Sequence, residues 1–197
     1  MTTARAVSFV KVSVKLAMVA LVASFAFNVN CPASSAGQVA ATVKQATPAE
    51  IKQWFVTYDQ IRRQAQMTPA ERQQADNLMS KGLSVLMPGE EKIVAQALLT
   101  KLVNKYTQAV TAMGQLPLYN QTLPVHRGYF QYFTSAGQLF SDYLKVQNDL
   151  FVVDQATGQP LLSQLMQRKQ QLADLDTQIK QVDKQVRAQF GVQAYQY

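Results

Sequence analysis

Residues 161–186 read LLSQLMQRKQQLADLDTQIKQVDKQV and carry the most regular pattern in the chain. Apolar residues recur there at alternating steps of four and three, and only Arg168 interrupts the series. This spacing predicts a long helix with one apolar seam of the coiled-coil type. The seam consists of Leu161, Leu165, Leu172, Leu175, Ile179, Val182 and Val186. We interpret it as a possible helix–helix interaction surface.

A second long helix is predicted immediately before the seam helix. It runs from Pro124 to about Val153, and a short turn over residues 154–159 leads to Pro160, which opens the last helix. A short connection between two long helices predicts an antiparallel hairpin, with arms of about 45 Å at 1.5 Å per residue. The inward-facing residues of this aromatic helix are expected to be Tyr129, Tyr132, Phe133, Ala136, Leu139, Phe140, Tyr143, Val146, Leu150 and Phe151.

The aromatic residues of that helix have two interpretations. Large rings fill the space between packed helices, so a structural role in the core is the simpler one. The other is a cleft for an apolar ligand such as a lipid, a pigment or haem, with tyrosine hydroxyls at its edges. The possible cleft residues are Tyr129, Tyr132, Phe133, Phe140 and Tyr143.

Two capping motifs locate the starts of the first two helices. Residues 47–50 and 68–71 both read Thr-Pro-Ala-Glu, which combines a capping threonine, proline at the first helical position and a glutamate that reaches back to the cap. Helices are predicted to about residue 66 and about residue 87. A third helix begins after Pro88 and ends near Gly114. The fold class predicted is therefore all-α, a bundle of about five helices with a long C-terminal antiparallel hairpin.

The N-terminal residues 1–36 have the character of a targeting segment. Three positive charges precede residues 16–29, LAMVALVASFAFNV, which are too short for a typical membrane-spanning helix and fit the apolar core of a signal peptide. Cleavage after Ala36 fits the small residues there, and cleavage after Ala26 is a poorer choice. The alternative is an uncleaved anchor in the cytoplasmic membrane over residues 7–30, with lysines snorkelling.

Cys31 is the only cysteine, which excludes an intrachain disulfide bond. The residues before it do not match the pattern expected for lipidation. The remaining organisation predicted is a linker over residues 37–46, one bundle domain over residues 47–192 and a short tail over residues 193–197. The whole protein carries a net charge of +7, and removal of the leader lowers Lys+Arg from 19 to 16 against 12 Asp+Glu, a mildly basic +4.

No catalytic motif or set of metal ligands can be assembled from residue spacing. His126 is the only histidine, and a histidine near a helix start is the simpler interpretation than a haem or metal ligand. Asp183 and Arg187, four residues apart, are expected on a solvated face. Arg62 and Arg63 suit a helix C-terminus, with phosphate binding as the competing interpretation.

The sequence favours a non-enzymatic exported envelope protein, periplasmic or otherwise extracytoplasmic, that acts as an adaptor, scaffold or accessory subunit through helix–helix contacts. The alternative is a bundle that binds an apolar ligand. The expected partners are a second protein or further copies of the chain, with possible peripheral contact to an anionic membrane surface. No nucleic acid, cofactor or metal is expected, and an enzyme is the least favoured class.

Overall fold

The computed structural model describes residues 43–80 and 89–196. Within these ranges the chain is all-helical, with no β-strand, and this confirms the fold class predicted from the sequence. The helices are α1 (Pro48–Ala65), α2 (Pro69–Ser80), α3 (Glu90–Gly114), α4 (Leu123–Asn148) and α5 (Leu161–Gln189). The predicted leader, Cys31 and most of the predicted linker lie outside the described residues.

Both predicted capping motifs are present. At the start of α1 the backbone N–H of Glu50 donates to the Thr47 hydroxyl at 3.3 Å, and the Glu50 carboxylate accepts from the Thr47 N–H at 2.7 Å. At the start of α2 the corresponding bonds join Glu71 and Thr68 at 3.1 and 2.8 Å. Each pair satisfies two backbone donors that a helix start otherwise leaves unpaired. Because these bonds join residues only three positions apart, the local sequence was sufficient to predict both helix starts.

The hydrophobic core lies where α3 packs against α1, α2 and α4, and where α4 packs against α5. Aromatic rings also join helices that are distant in sequence. The rings of Tyr58 on α1 and Tyr129 on α4 have centroids 5.4 Å apart. Gly128 permits close approach of α4 and α5, because a Cβ atom there would lie 2.9 Å from the Ile179 side chain. Further along α4, Asp142 contacts Arg168 of α5. Later residues of α4 thus meet earlier residues of α5, and the two helices are antiparallel.

The prediction that the aromatic helix continues to Val153 is wrong, because α4 ends at Asn148. Asp149 is in the extended conformation, and its carboxylate accepts a hydrogen bond from the Phe151 N–H at 2.9 Å. Such a local side-chain bond competes with helix continuation. The expectation that Leu150 and Phe151 face inward is wrong as well, since they are 41% and 88% exposed.

The chain preceding α1 is held against the connection between α3 and α4. Backbone hydrogen bonds of 3.0 Å join Lys44 to Leu118 and to Asn120, and the Gln121 side chain bonds both backbone groups of Ala46. The Trp54 indole donates to the Pro117 carbonyl at 3.1 Å on the same side of the bundle. Residues 43–46, the end of the segment interpreted as a linker, are thus part of the folded unit.

Candidate functional site

The apolar seam of α5 packs against the chain's own core. Four of its residues are buried, Leu161, Leu165, Ile179 and Val186. The others, Leu172, Leu175 and Val182, are half-buried and pack against the same clusters of core side chains. In this arrangement the seam contributes to the internal stability of the bundle.

Arg168, the one break in the seam, is an internal ion-pairing residue. Its guanidinium bonds the carboxylates of Asp142 on α4 and Asp154 in the connection between α4 and α5. Asp142 is 1% exposed and also accepts hydrogen bonds from Gln138 at 2.7 Å and Lys145 at 3.1 Å. A single polar group in an apolar seam can specify the register of two helices, and this network joins α4, α5 and their connection at one level.

The expectation of a solvated face for Asp183 and Arg187 is wrong, because they are 3% and 2% exposed. Arg187 donates to Asp183 at 3.0 Å and to Asp59 of α1, while Arg62 donates to Asp183 at 3.1 Å. Helical spacing reveals which residues share a face. It does not reveal that another helix brings its own charges to that face, which happens here through α1.

The chain after α5 folds back over this ionic cluster. Arg187 donates to the Gln193 carbonyl at 3.0 Å, and the ring of Tyr195 lies over the Arg62 guanidinium at 3.8 Å from its centroid. Arg62 also lies 4.3 Å from the ring centroid of Tyr129. Residues 190–196 therefore form part of the bundle surface beside α1 and α4.

An open cavity of about 390 Å³, which we name the aromatic cleft, lies beside Arg62 and Tyr195. All five described helices contribute residues to its walls, so the lining residues are distant from one another in sequence. The lining residues that bear rings are Tyr106, Tyr129, Tyr132, Phe133 and Tyr195, and those that bear charge are Arg62, Arg72, Asp76, Asp176 and Lys180.

Two tyrosine hydroxyls form a hydrogen-bonded pair in the wall of the aromatic cleft. Burial raises the pKa of Tyr106 to about 12 and also raises the pKa of Tyr132, whose hydroxyl bonds that of Tyr106. The charge of Asp176 raises both pKa values further, while the charge of Arg72 lowers them. Both tyrosines are therefore protonated at neutral pH and offer polar atoms on an otherwise aromatic wall.

The structure brings together three of the five residues predicted for an apolar ligand cleft. Tyr129, Tyr132 and Phe133 line the aromatic cleft. Phe140 stacks on Tyr106 with centroids 5.8 Å apart, deeper in the core. Tyr143 is half-buried near the level of Leu161 and Leu165. Helical periodicity placed all five on one side of α4, but the cleft spans only part of that side.

His126 is buried at the start of α4 and contacts the backbone of α3. It is 9% exposed, and its Nε2 atom lies 2.8 Å from the Met113 carbonyl oxygen, to which it donates in the neutral form. Burial lowers its pKa, and the charge of Arg127 acts in the same direction. Among the described residues, no group of three or more His, Cys, Asp or Glu side chains is arranged to hold a metal ion.

A second surface feature lies at the end of the bundle where α4 leads to α5. The Gln96 amide donates to the Asn148 side chain at 3.0 Å, so the start of α3 lies beside the end of α4. Most of the large exposed apolar residues of the described chain occur at this end. We name them the apolar tip, which comprises Ile93, Val94, Leu150, Phe151, Val153 and Met166.

The connection between α4 and α5 carries Leu150, Phe151 and Val153 of the apolar tip and is held by specific hydrogen bonds. Val152 accepts from the Leu161 N–H at 2.9 Å, and the Asp154 N–H donates to the Gln159 carbonyl at 2.8 Å. Asp154 also accepts from the Ala156 N–H at 2.7 Å. Together with the Asp149 bond to the Phe151 N–H, these contacts hold the backbone that carries the 88% exposed Phe151 side chain.

A scan against protein-family models produced no match, and searches of curated proteins and of solved structures found no similar chain. Within the described ranges, none of the helices combines the length and the apolar character that crossing a membrane requires.

Proposed function

We propose that this chain is a non-enzymatic exported protein that acts as an adaptor or accessory subunit and binds a partner protein through its apolar tip. The observation that carries the proposal is the position of Phe151, which is 88% exposed on a connection fixed by hydrogen bonds. Phe151 is the most exposed of the large apolar side chains in the described residues, and clustered exposed apolar side chains are typical of binding surfaces.

The chemistry of the tip favours a protein partner over an anionic membrane surface. Asp149 and Asp154 are bound by the backbone of the connection, and Arg168 is paired with Asp154. These two carboxylates and the Arg168 guanidinium therefore already have partners within the fold. An exposed aromatic side chain on a hydrogen-bonded backbone is instead the kind of anchor that fills a pocket at the centre of a protein interface.

The antiparallel hairpin of α4 and α5 is the element that presents the tip, and the end of the hairpin takes the place of the helix–helix surface expected from the sequence. Because the seam of α5 packs against the chain's own core, we assign partner binding to the end of the hairpin. The pattern of residues 1–36 supports the export part of the proposal. A mature mass that corresponds to a chain starting at residue 37 would support cleavage, and a full-length mass would favour the anchor over residues 7–30.

The partner proposal is tested by affinity purification of the protein from its own cells, with substitutions at two exposed apolar positions. Phe151→Asp should abolish recovery of a stoichiometric partner, since loss of a central anchor costs about 2 kcal/mol or more of binding free energy. Val56→Asp is the matched control, because Val56 is 49% exposed on α1 and lies outside the tip. It should leave recovery of the partner unchanged.

The partner identified in this way should then bind the purified wild-type protein, but not the Phe151→Asp variant, when the two proteins are mixed. Equal recovery of the partner with the wild-type protein and with Phe151→Asp would overturn the proposal. Further copies of the chain in native mass spectra, lost with Phe151→Asp alone, would assign the tip to self-assembly. Sedimentation with phosphatidylglycerol vesicles, lost with the same variant, would assign it to lipid.

A further inference from the structure

The aromatic cleft is separate from the apolar tip. Tyr132, in the cleft wall, lies roughly 24 Å along the axis of α4 from Asn148 at 1.5 Å per residue. The cleft has a volume of about 390 Å³, within the range of small-molecule sites. We propose that it binds a small organic anion that carries a flat aromatic ring.

The aromatic wall is fixed by ring–ring contacts before any ligand enters. Tyr129, Tyr132 and Phe133 contact one another in every pair, with centroids 5.7–6.1 Å apart. Tyr129 and Phe133 are 2% and 3% exposed, so the core holds their rings, and the half-buried Tyr132 is the ring of the three that stays accessible in the cleft. A preformed aromatic wall lowers the entropic cost of binding a flat apolar group, and it does so without rearrangement of the fold.

The charged residues of the lining are three cations, Arg62, Arg72 and Lys180, and two carboxylates, Asp76 and Asp176. This balance favours an anion over a cation. Arg62 already supplies a cation to the ring of Tyr129 at 4.3 Å, so the protein itself occupies the position that a ligand cation would take. Asp176 is bound by Lys180 at 2.6 Å, which reduces the attraction of this carboxylate for a cationic ligand.

Arg72 is the cation best placed to bind a ligand carboxylate. It is exposed on α2 and lines the cleft, and no ion pair joins its side chain to another described residue. Arg72 lines the same cavity as Tyr106 and Tyr132, which carry the hydroxyl pair of the wall. Arginine can bind a carboxylate through two parallel hydrogen bonds, with a tyrosine hydroxyl as a third donor.

The experiment compares three probes that share one ring system and differ in charge. Isothermal titration calorimetry of the purified protein would use 1-naphthoate, neutral 1-naphthalenemethanol and cationic 1-naphthylmethylammonium. We expect 1-naphthoate to bind most tightly, about tenfold or more over the neutral probe, because a charged hydrogen bond contributes at least that much. Tighter binding of the cation, or no binding of 1-naphthoate, would overturn the proposal.

Substitutions then localise the binding. Arg72→Gln should lower the affinity for 1-naphthoate about tenfold and leave the affinity for the neutral probe unchanged. The control is Arg63→Gln, at an exposed arginine outside the cleft lining, which should change neither affinity. Ala173→Trp places a large ring in the cleft from an exposed position on α5 and should abolish binding. Binding that survives Ala173→Trp would place the probe elsewhere and refute the assignment. Phe151→Asp should leave it intact, so the cleft and tip proposals fail separately.

Discussion

Replacement of Arg168 by leucine would complete the apolar seam of α5, yet we expect it to destabilise the protein. Arg168 bonds Asp142, whose side chain is 1% exposed, and Asp154 in the following connection. In Arg168→Leu the buried carboxylate keeps only Gln138 and the half-exposed Lys145 as side-chain partners. A pattern-based rule that favours leucine at this position therefore predicts the opposite sign from the structure.

The magnitude follows from the burial of the pair. Loss of one partner from a buried ion pair typically costs about 3–5 kcal/mol, and exposed pairs contribute about 1 kcal/mol or less. The Arg168 side chain is 25% exposed and Lys145 remains beside Asp142, so we expect a decrease of about 2–3 kcal/mol in the free energy of unfolding. With Asp142→Leu added, both charges are gone, and stability should return to within about 1 kcal/mol of wild type.

Urea denaturation followed by far-UV circular dichroism measures each free energy of unfolding. The matched control is Lys180→Leu, which breaks the more exposed pair with Asp176 on the same helix, where the side chains are 41% and 28% exposed. It should cost less than about 1 kcal/mol. The reasoning is refuted if Arg168→Leu is as stable as wild type, or if the double variant is as unstable as Arg168→Leu alone.

The remaining predictions concern other buried polar groups. The amide of Gln147 is buried, and among the described residues neither of its polar atoms has a hydrogen-bond partner. Gln147→Met should therefore increase the free energy of unfolding measured in urea by about 1 kcal/mol. Gln138→Met, which removes a 2.7 Å hydrogen bond, should decrease it. Burial alone would raise the pKa of Glu71, but hydrogen bonds from Lys101 and Lys105 outweigh it and hold the pKa at about 2. Because this value lies below the ordinary 4.5, the carboxylate stabilises the fold fully above about pH 4.5, and that stability is lost as the pH falls towards 2. Glu71→Gln should consequently flatten the acid limb of a stability–pH curve; an unchanged limb would contradict this assignment.

The candidate site illustrates what helical periodicity can and cannot predict. Tyr129, Tyr132 and Phe133 were singled out because residues three and four apart share a helix face. Arg62 and Arg72, which supply the charge beside them, precede those rings by many residues and lie on other helices. No pattern within one helix reports such a neighbour, so the sequence indicated aromatic character and the structure added the charged rim.

The apolar tip shows the opposite error. The aromatic pattern through Leu150 and Phe151 continues the helical period, and a continued helix would bury both. Asp149 instead ends α4, and its carboxylate accepts the Phe151 N–H. An aspartate before an apolar pair is a weak local signal for such a turn, and the longer periodic pattern outweighed it in the prediction.

The sequence by itself determined the all-α class and the starts of α1 and α2, because capping boxes and apolar periodicity act between residues a few positions apart. Only the tertiary structure decided which charges are buried. Arg187 reads as a solvent-facing residue on its own helix, yet Asp59, 128 residues earlier in the chain, accepts its hydrogen bonds in the folded bundle. The physical reason is that burial and charge pairing depend on which helices meet, and long-range packing sets those meetings.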